Sequence, residues 1–372
     1  MKKALLIFIG TILVLVFGLI STGHGYLLKG IQHTYLKGKA SPGIYDLDIF
    51  QKDTLLASSS PRSYTKSLSS LLPADKDTLE AGQTVAFLII EGDSIIVEEY
   101  FGKHTATTVS NSFSMAKSIV SLLIYMEMER DASFGVNQSV DQLLDFNNPG
   151  FQDVSVEDLL TMSAPVKWIE SGKNPFSHNA RAYYGDDLEK IILNLEKSDD
   201  PYAFEYKSGN SQILSLILEK KRQEKITDIV HQQLWEPLGM SNNAYWSTDE
   251  KGTAKAFCCF YATAQDFAKF GSLLLDSGRV DTNQIIAKKS LQEMLSVGIN
   301  HGRDTACYTH HWWTEQYEGE TVHYMRGIKG QYVLVLPEKN RVIVRLGHHR
   351  KAKNDRLHPM DLYDYLEISK HY

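Results

Sequence analysis

Ser112-Phe113-Ser114-Met115-Ala116-Lys117-Ser118 is the stretch on which the reading of this chain turns. Ser114 and Lys117 stand three residues apart, so at a helix N-terminus both project from one face of the first turn and their side chains can touch. A serine hydroxyl is a poor nucleophile until a neighbour takes its proton, and a lysine whose charge is disfavoured by burial can do so. A Ser-x-x-Lys alone more often marks a solvated helix face. Here Ile119-Val120-Ser121-Leu122-Leu123-Ile124 follows, apolar almost all round, which buries the helix and carries Lys117 into the interior. Amide groups near Ser114 add positive potential where an oxyanion would develop.

Working outward, Val85 to Ile90 and Ile95 to Phe101 are β-rich runs joined by Glu91-Gly92-Asp93-Ser94, which predicts a hairpin. Helical periodicity dominates from Ser114 to about residue 300, clearest at Asp158 to Met162 and Gln212 to Lys221. Tyr332 to Leu336 and Arg341 to Leu346 form a second β pair around Pro337-Glu338-Lys339-Asn340, and Met360 to Lys370 closes as a helix. Strands at both ends with helices between predict an α+β fold: an antiparallel sheet from the N- and C-terminal segments, with an inserted, mostly helical lobe at about 130–300 and a site in the cleft between them. The Gly-, Ser-, Pro- and Lys-rich stretch 25–77 reads as a spacer with little regular structure, and 78–372 as the domain proper.

The chain has 372 residues, 43% of them hydrophobic, enough for a large core. Its formal charge is -6 with both signs interspersed, so no basic stripe exists to bind nucleic acid. Lys2 and Lys3 precede an unbroken apolar run from Ala4 to Ile20, followed by Ser21-Thr22-Gly23. Residues 1–24 therefore read as a signal peptide or an N-terminal membrane anchor, and the protein as exported, periplasmic or otherwise extracytoplasmic. The run is slightly long for a signal core and slightly short for a spanning helix, so cleavage and anchoring by residues 4–20 both fit. Three cysteines, Cys258, Cys259 and Cys307, make no disulfide framework and lack the spacing of a zinc site; burial as small apolar residues is expected, with Cys259–Cys307 the pairing considered. Adjacent residues on a strand face opposite ways, so neither His310-His311 nor His348-His349 suits a single metal ion. Trp246 and Trp312-Trp313 read as core residues.

Two further segments carry chemistry. In Phe204-Glu205-Tyr206-Lys207-Ser208-Gly209-Asn210, just ahead of an apolar helix, the Tyr206 oxygen beside an ammonium can relay a proton, although such a tyrosine taken alone is more simply a packed junction residue. In Arg326-Gly327-Ile328-Lys329-Gly330-Gln331, running into what is read as an edge strand, paired glycines let backbone approach an acyl group and offer an N–H donor; a generic strand-entry glycine explains the same residues.

Together these elements resemble the serine β-lactamase and penicillin-binding superfamily, closest to its class C-like branch of esterases and 6-aminohexanoate-dimer hydrolases. The resemblance runs from about Ala81 to Leu346. It is carried by Ser112 to Ser118, Val156 to Ser163, Phe204-Glu205-Tyr206, Trp235-Glu236-Pro237-Leu238-Gly239-Met240, Ala262 to Gly271 and Gly327 to Gln331. It implies Ser114 as the acylated nucleophile, Lys117 and Tyr206 as base and acid, the N–H groups of Ser114 and Ile328 as an oxyanion hole, and Ser208, Arg326, Gly327 and Gln331 as substrate contacts, with no cofactor or metal. Three departures stand out. Ser208 replaces the usual Asn of the Tyr motif, Arg326 and Gly327 stand where β-lactamases have Lys-Thr-Gly, and Cys258-Cys259 stand where relatives often have paired glycines. The first two remove groups that grip a β-lactam. The expected activity is therefore hydrolysis of a small ester, amide or peptide through an acyl-enzyme on Ser114. The rivals are a penicillin-binding protein, β-lactamase or D-amino-acid peptidase, and a non-catalytic sensing module of the same fold. Nothing in the residues fixes the oligomeric state.

Overall fold

A computed structural model describes all residues except 40, 146–147, 200–202 and 297–306. From the N-terminus, α1 (Lys2–Ser21) and α2 (Tyr26–His33) precede β1 (Lys52–Leu55), β2 (Thr65–Lys66), α3 (Pro73–Ala81) and the hairpin β3 (Thr84–Glu91) and β4 (Ser94–Tyr100). The short β5 (Ser110–Asn111) leads through a 3₁₀ turn, Phe113–Met115, into α4 (Ala116–Arg130). The lobe contains α5 (Val140–Leu144), α6 (Val156–Leu160), α7 (His178–Tyr184), α8 (Leu188–Leu193), α9 (Ser208–Arg222) and α10 (Ile226–Val230). Then come β6 (Ala244–Ser247), β7 (Phe260–Ala262), α11 (Ala264–Leu275), β8 (Arg279–Val280), β9 (Asn283–Gln284) and α12 (Lys288–Leu295). The chain closes with β10 (Trp313–Tyr317), β11 (Glu320–Gly327), β12 (Gln331–Leu336), β13 (Arg341–Gly347) and α13 (Asp361–Ser369).

The main sheet has the order β10-β11-β12-β13-β3-β4-β2, so the two ends of the chain meet where β13 pairs antiparallel with β3. This is the expected α+β architecture. Its inner strands β3, β12 and β13 are buried on both faces, which explains the near-continuous apolar run of β3. Ala86, Leu88 and Ile90 join the core shared with α4 and α11, while Phe87 and Ile89 join the one shared with α13. The alternation follows the two-residue period of a strand.

Three expectations change. The stretch 25–77 is no irregular spacer: α2 packs on α7, β1 pairs with β6, and β2 adds a parallel edge to β4. The lobe carries a small sheet of its own, β1-β6-β7-β5, whose strands are only two to four residues long and so left no clear period-two signal. The strand after Gly330 is interior, since β12 lies between β11 and β13. The expected end of the lobe near residue 300 lies outside the described residues.

Candidate active site

The turn before α4 presents Ser114. Asn111 Oδ1 accepts the Phe113 N–H at 2.8 Å, and the Ser112 N–H donates to the Phe260 carbonyl at 2.7 Å. Between these anchors Phe113 adopts φ +45°, a left-handed conformation that a non-glycine residue holds only where its surroundings over-determine it. Ser114 then sits partly exposed on the wall of a cavity of about 430 Å³, within the range of small-molecule sites.

Lys117, one helical turn on, is 1% exposed. Its Nζ is 3.2 Å from Ser114 Oγ and donates to the Phe257 carbonyl at 2.7 Å. The same nitrogen lies 5.1 Å from the centre of the Tyr206 ring, within cation–π range. Ser114 and Tyr206, 92 positions apart in sequence, are thus both brought to the Lys117 amine. Behind Lys117, His311 bonds the Leu160 carbonyl through Nδ1 at 3.0 Å and Ser211 Oγ through Nε2 at 2.9 Å. Burial, and then the charge of Lys117, push His311 down to about 3, so it is a neutral donor to the carbonyl and acceptor from the hydroxyl. His310 is also buried, while His348 and His349 are exposed.

Tyr206 is held between Trp313, stacked at 5.8 Å, and Tyr308, edge-on at 6.0 Å. Two residues later Ser208 opens α9, and Glu170 receives both its N–H at 2.7 Å and its hydroxyl at 2.9 Å. Glu170 also accepts from Trp168 Nε1 at 2.9 Å and Asn179 Nδ2 at 2.7 Å. A carboxylate at a helix N-terminus is favoured by the helix dipole. Glu170 was invisible in the sequence because a lone acid in a loop carries no motif; its importance comes from the four donors that tertiary folding turns toward it.

Gly327 ends β11 against the nucleophile turn: a Cβ there would fall 2.2 Å from the Ser112 carbonyl oxygen and 3.2 Å from Phe113 Cβ. The next residue, Ile328, lines the cavity with Ser114 and is 45% exposed. Two expected substrate contacts are placed elsewhere. Gln331 is fully buried and spends its amide on the Ile328 and Gly347 carbonyls and the Gly347 N–H, so it braces the Gly327–Gln331 turn. Arg326 is 6% exposed, lies 3.2 Å from the centre of the Trp313 ring and donates to the Leu357 carbonyl at 2.7 Å. It supports the aromatic layer behind Tyr206 and does not line the cavity. Gly327 meets the nucleophile turn through its backbone.

The cysteines also differ from expectation: Cys258 and Cys259 are joined to each other, Cys258 lining the cavity, and Cys307 is buried and unpaired. Cys259 has φ +66°, and the ring its disulfide closes follows directly on Phe257, the residue whose carbonyl holds Lys117. Adjacent-residue pairing was not foreseen because it demands this particular backbone. Part of the remaining wall comes from Tyr26, Leu27 and Ile31 of α2, within the stretch read as a spacer, and part from the loop at Glu170 and from α7.

Comparison with known proteins agrees with this fold. The 6-aminohexanoate-dimer hydrolase of Paenarthrobacter ureafaciens is 25% identical over 329 residues, 82% of each chain. A solved structure described as a 6-aminohexanoate-dimer hydrolase from Bacillus anthracis superimposes with a TM-score of 0.77 at 20% identity, covering 92% of this chain and 94% of that one. A D-stereospecific amidohydrolase from Streptomyces sp. gives a TM-score of 0.60 at 12% identity, covering 79% and 97%. The family model described as Beta-lactamase matches residues 76–364, which takes in every strand of the main sheet except β2, and the lobe between, so the chain belongs to the Beta-lactamase family.

Proposed function

We propose that this protein is a serine hydrolase that cleaves an ester or amide bond through an acyl-enzyme on Ser114. The observation that carries the reading is the 3.2 Å approach of Lys117 Nζ to Ser114 Oγ beneath the Tyr206 ring, on the wall of an open cavity. Lys117 takes the Ser114 proton while Oγ attacks the substrate carbonyl. The Phe257 carbonyl fixes the direction of one N–H and leaves the lone pair for Oγ. The N–H groups of Ser114 and Ile328 stabilise the tetrahedral oxyanion, and the proton taken by Lys117 passes through Tyr206 to the leaving alcohol or amine. Water then attacks the acyl-enzyme in the reverse sense, returning the proton to Ser114. None of these steps calls for a metal or cofactor.

The relative named as a 6-aminohexanoate-dimer hydrolase supports an amide substrate in place of a β-lactam. So does Ser208, whose hydroxyl and N–H are both committed to Glu170. Helix α1, apolar from Ala4 to Ile20 and long enough to cross a membrane, supports placement outside the cytoplasm. The test is a fluorophosphonate probe followed by peptide mass spectrometry: the adduct is expected on Ser114, and an adduct on another serine with Ser114 unmodified overturns the reading.

A further inference from the structure

We infer that the substrate is an amphiphile carrying an acyl chain, drawn into this site from the membrane that α1 spans; the inference rests on the hydrolase reading of Ser114. At about 1.5 Å per residue the 20-residue α1 covers roughly 30 Å, the thickness of a bilayer's hydrocarbon core, and none of its residues is buried. Lys2 and Lys3 keep its start on the cytoplasmic side, so its end emerges with the domain on the other face.

That end is rigidly stopped. Gly23 takes φ +75°, its N–H returns to the Ile20 carbonyl at 3.1 Å, and the His24 N–H returns to Leu19 at 2.7 Å. This is a Schellman cap, which only a glycine-like conformation permits. Four residues separate α1 from α2, and α2 is pinned to the lobe: Lys29 pairs with Asp186 and Glu250, and Gly30 packs at 3.5 Å (as a built Cβ) on the Tyr184 ring. The membrane exit is therefore fixed against the catalytic lobe.

The cavity that holds Ser114 extends to this exit. Leu19, in the last turn of α1, lines the same space as Ser114, with Leu27, Ile31 and Tyr35 between them in the chain. Part of its rim is apolar and open, with Ile31 43% and Tyr35 71% exposed, and beyond the lining residues Phe176, 63% exposed, sets its ring 6.1 Å from that of His24 at the helix junction. Exposed apolar surface continuous with a membrane span suits contact with lipid. An acyl chain lying along α2 toward Leu19 brings its carbonyl to Ser114.

The test uses the full chain reconstituted in phosphatidylcholine vesicles, with nitrophenyl butyrate and nitrophenyl laurate as probes. Expected results are a kcat/KM at least tenfold higher for laurate than for butyrate, a fall of tenfold or more in that ratio for Ile31→Glu, and a membrane-bound protein whose intact mass includes residues 1–24. Fluorophosphonate labelling of Ser114 checks that each variant retains its site, with Ile31→Ser used if Ile31→Glu fails to label. Butyrate cleaved as well as or better than laurate by a chain that labels at Ser114, or a mature chain beginning after Gly23, overturns the amphiphile inference and leaves the hydrolase reading standing. Failure to label Ser114 in the unaltered chain overturns the hydrolase reading itself.

Discussion

Gly327 passes so close to Ser112 that a Cβ on it would stand 2.2 Å from the Ser112 carbonyl oxygen. Strand β11 and the nucleophile turn come from segments more than 200 positions apart, and their backbone contact sets how far Ile328 stands from Ser114. Gly327→Ala must push them apart. If the Ile328 N–H is an oxyanion donor, kcat should fall by about 10²–10³, the usual cost of losing one such donor, while overpacking lowers stability by roughly 1–3 kcal/mol. Kinetics with an activated ester and a thermal melt separate the two effects. Unchanged kcat in a folded variant would remove Ile328 from the mechanism.

Lys117→Arg keeps a cation beside Ser114 but cannot yield a neutral amine near pH 7. Turnover of a nitrophenyl ester should drop by about two to four powers of ten, the range for loss of a general base. Near-normal turnover would contradict the proton-carrying role and leave Lys117 as a fixed charge.

Esters should be preferred to β-lactams. Arg326 is occupied by Trp313 and the Leu357 carbonyl, and Ser208 by Glu170, so neither is free to grip a drug's carboxylate or side-chain amide. Two missing charge-assisted contacts of about 1.5–3 kcal/mol each correspond to roughly two to four powers of ten. Measuring kcat/KM for nitrocefin beside nitrophenyl acetate decides it, and equal or better hydrolysis of nitrocefin would contradict the assignment.

Lys255 offers a pH test of stability. It is fully buried, its Nζ has no hydrogen-bond partner among the described residues, and it lies 4.5 Å from the centre of the Phe50 ring. Burial pushes it down to about 8 from 10.5. Below pH 8 folded and unfolded chains both hold the proton, so the burial penalty is fully present. Between about pH 8 and 10.5 the folded chain has released the proton that the unfolded chain retains, so stability rises with pH. Lys255→Met should therefore stabilise the protein at pH 7 by about 3 kcal/mol, and the gain should shrink by pH 10. Denaturant melts at both pH values check this; a destabilised variant at pH 7 would show that Lys255 has a partner that compensates its charge.

The elements legible beforehand were those written in local chemistry. The hairpins β3–β4 and β12–β13 followed from apolar runs around turn residues, and the Ser114–Lys117 contact from the three-residue spacing on a buried helix. Strands β10 and β11 were missed, because Thr314, Gln316, Thr321 and His323 interrupt their apolar pattern. Those polar groups are satisfied by cross-strand partners that no single segment reveals, as Thr314 Oγ1 is by His323 Nδ1 at 3.0 Å.

By itself the sequence determined that a serine and a lysine share one face of a buried helix, that the chain is α+β, and that an apolar helix leads it. These depend on contacts within a few residues, where helix and strand periods fix geometry. Only the tertiary structure decided that Glu170 holds Ser208, that Gln331 and Arg326 turn away from the cavity, and that α2 walls it. Each of these depends on which distant groups fill a side chain's hydrogen-bonding and packing capacity. A polar residue's role is set by the partners that reach it first, and those are chosen when chain-distant segments close on one another.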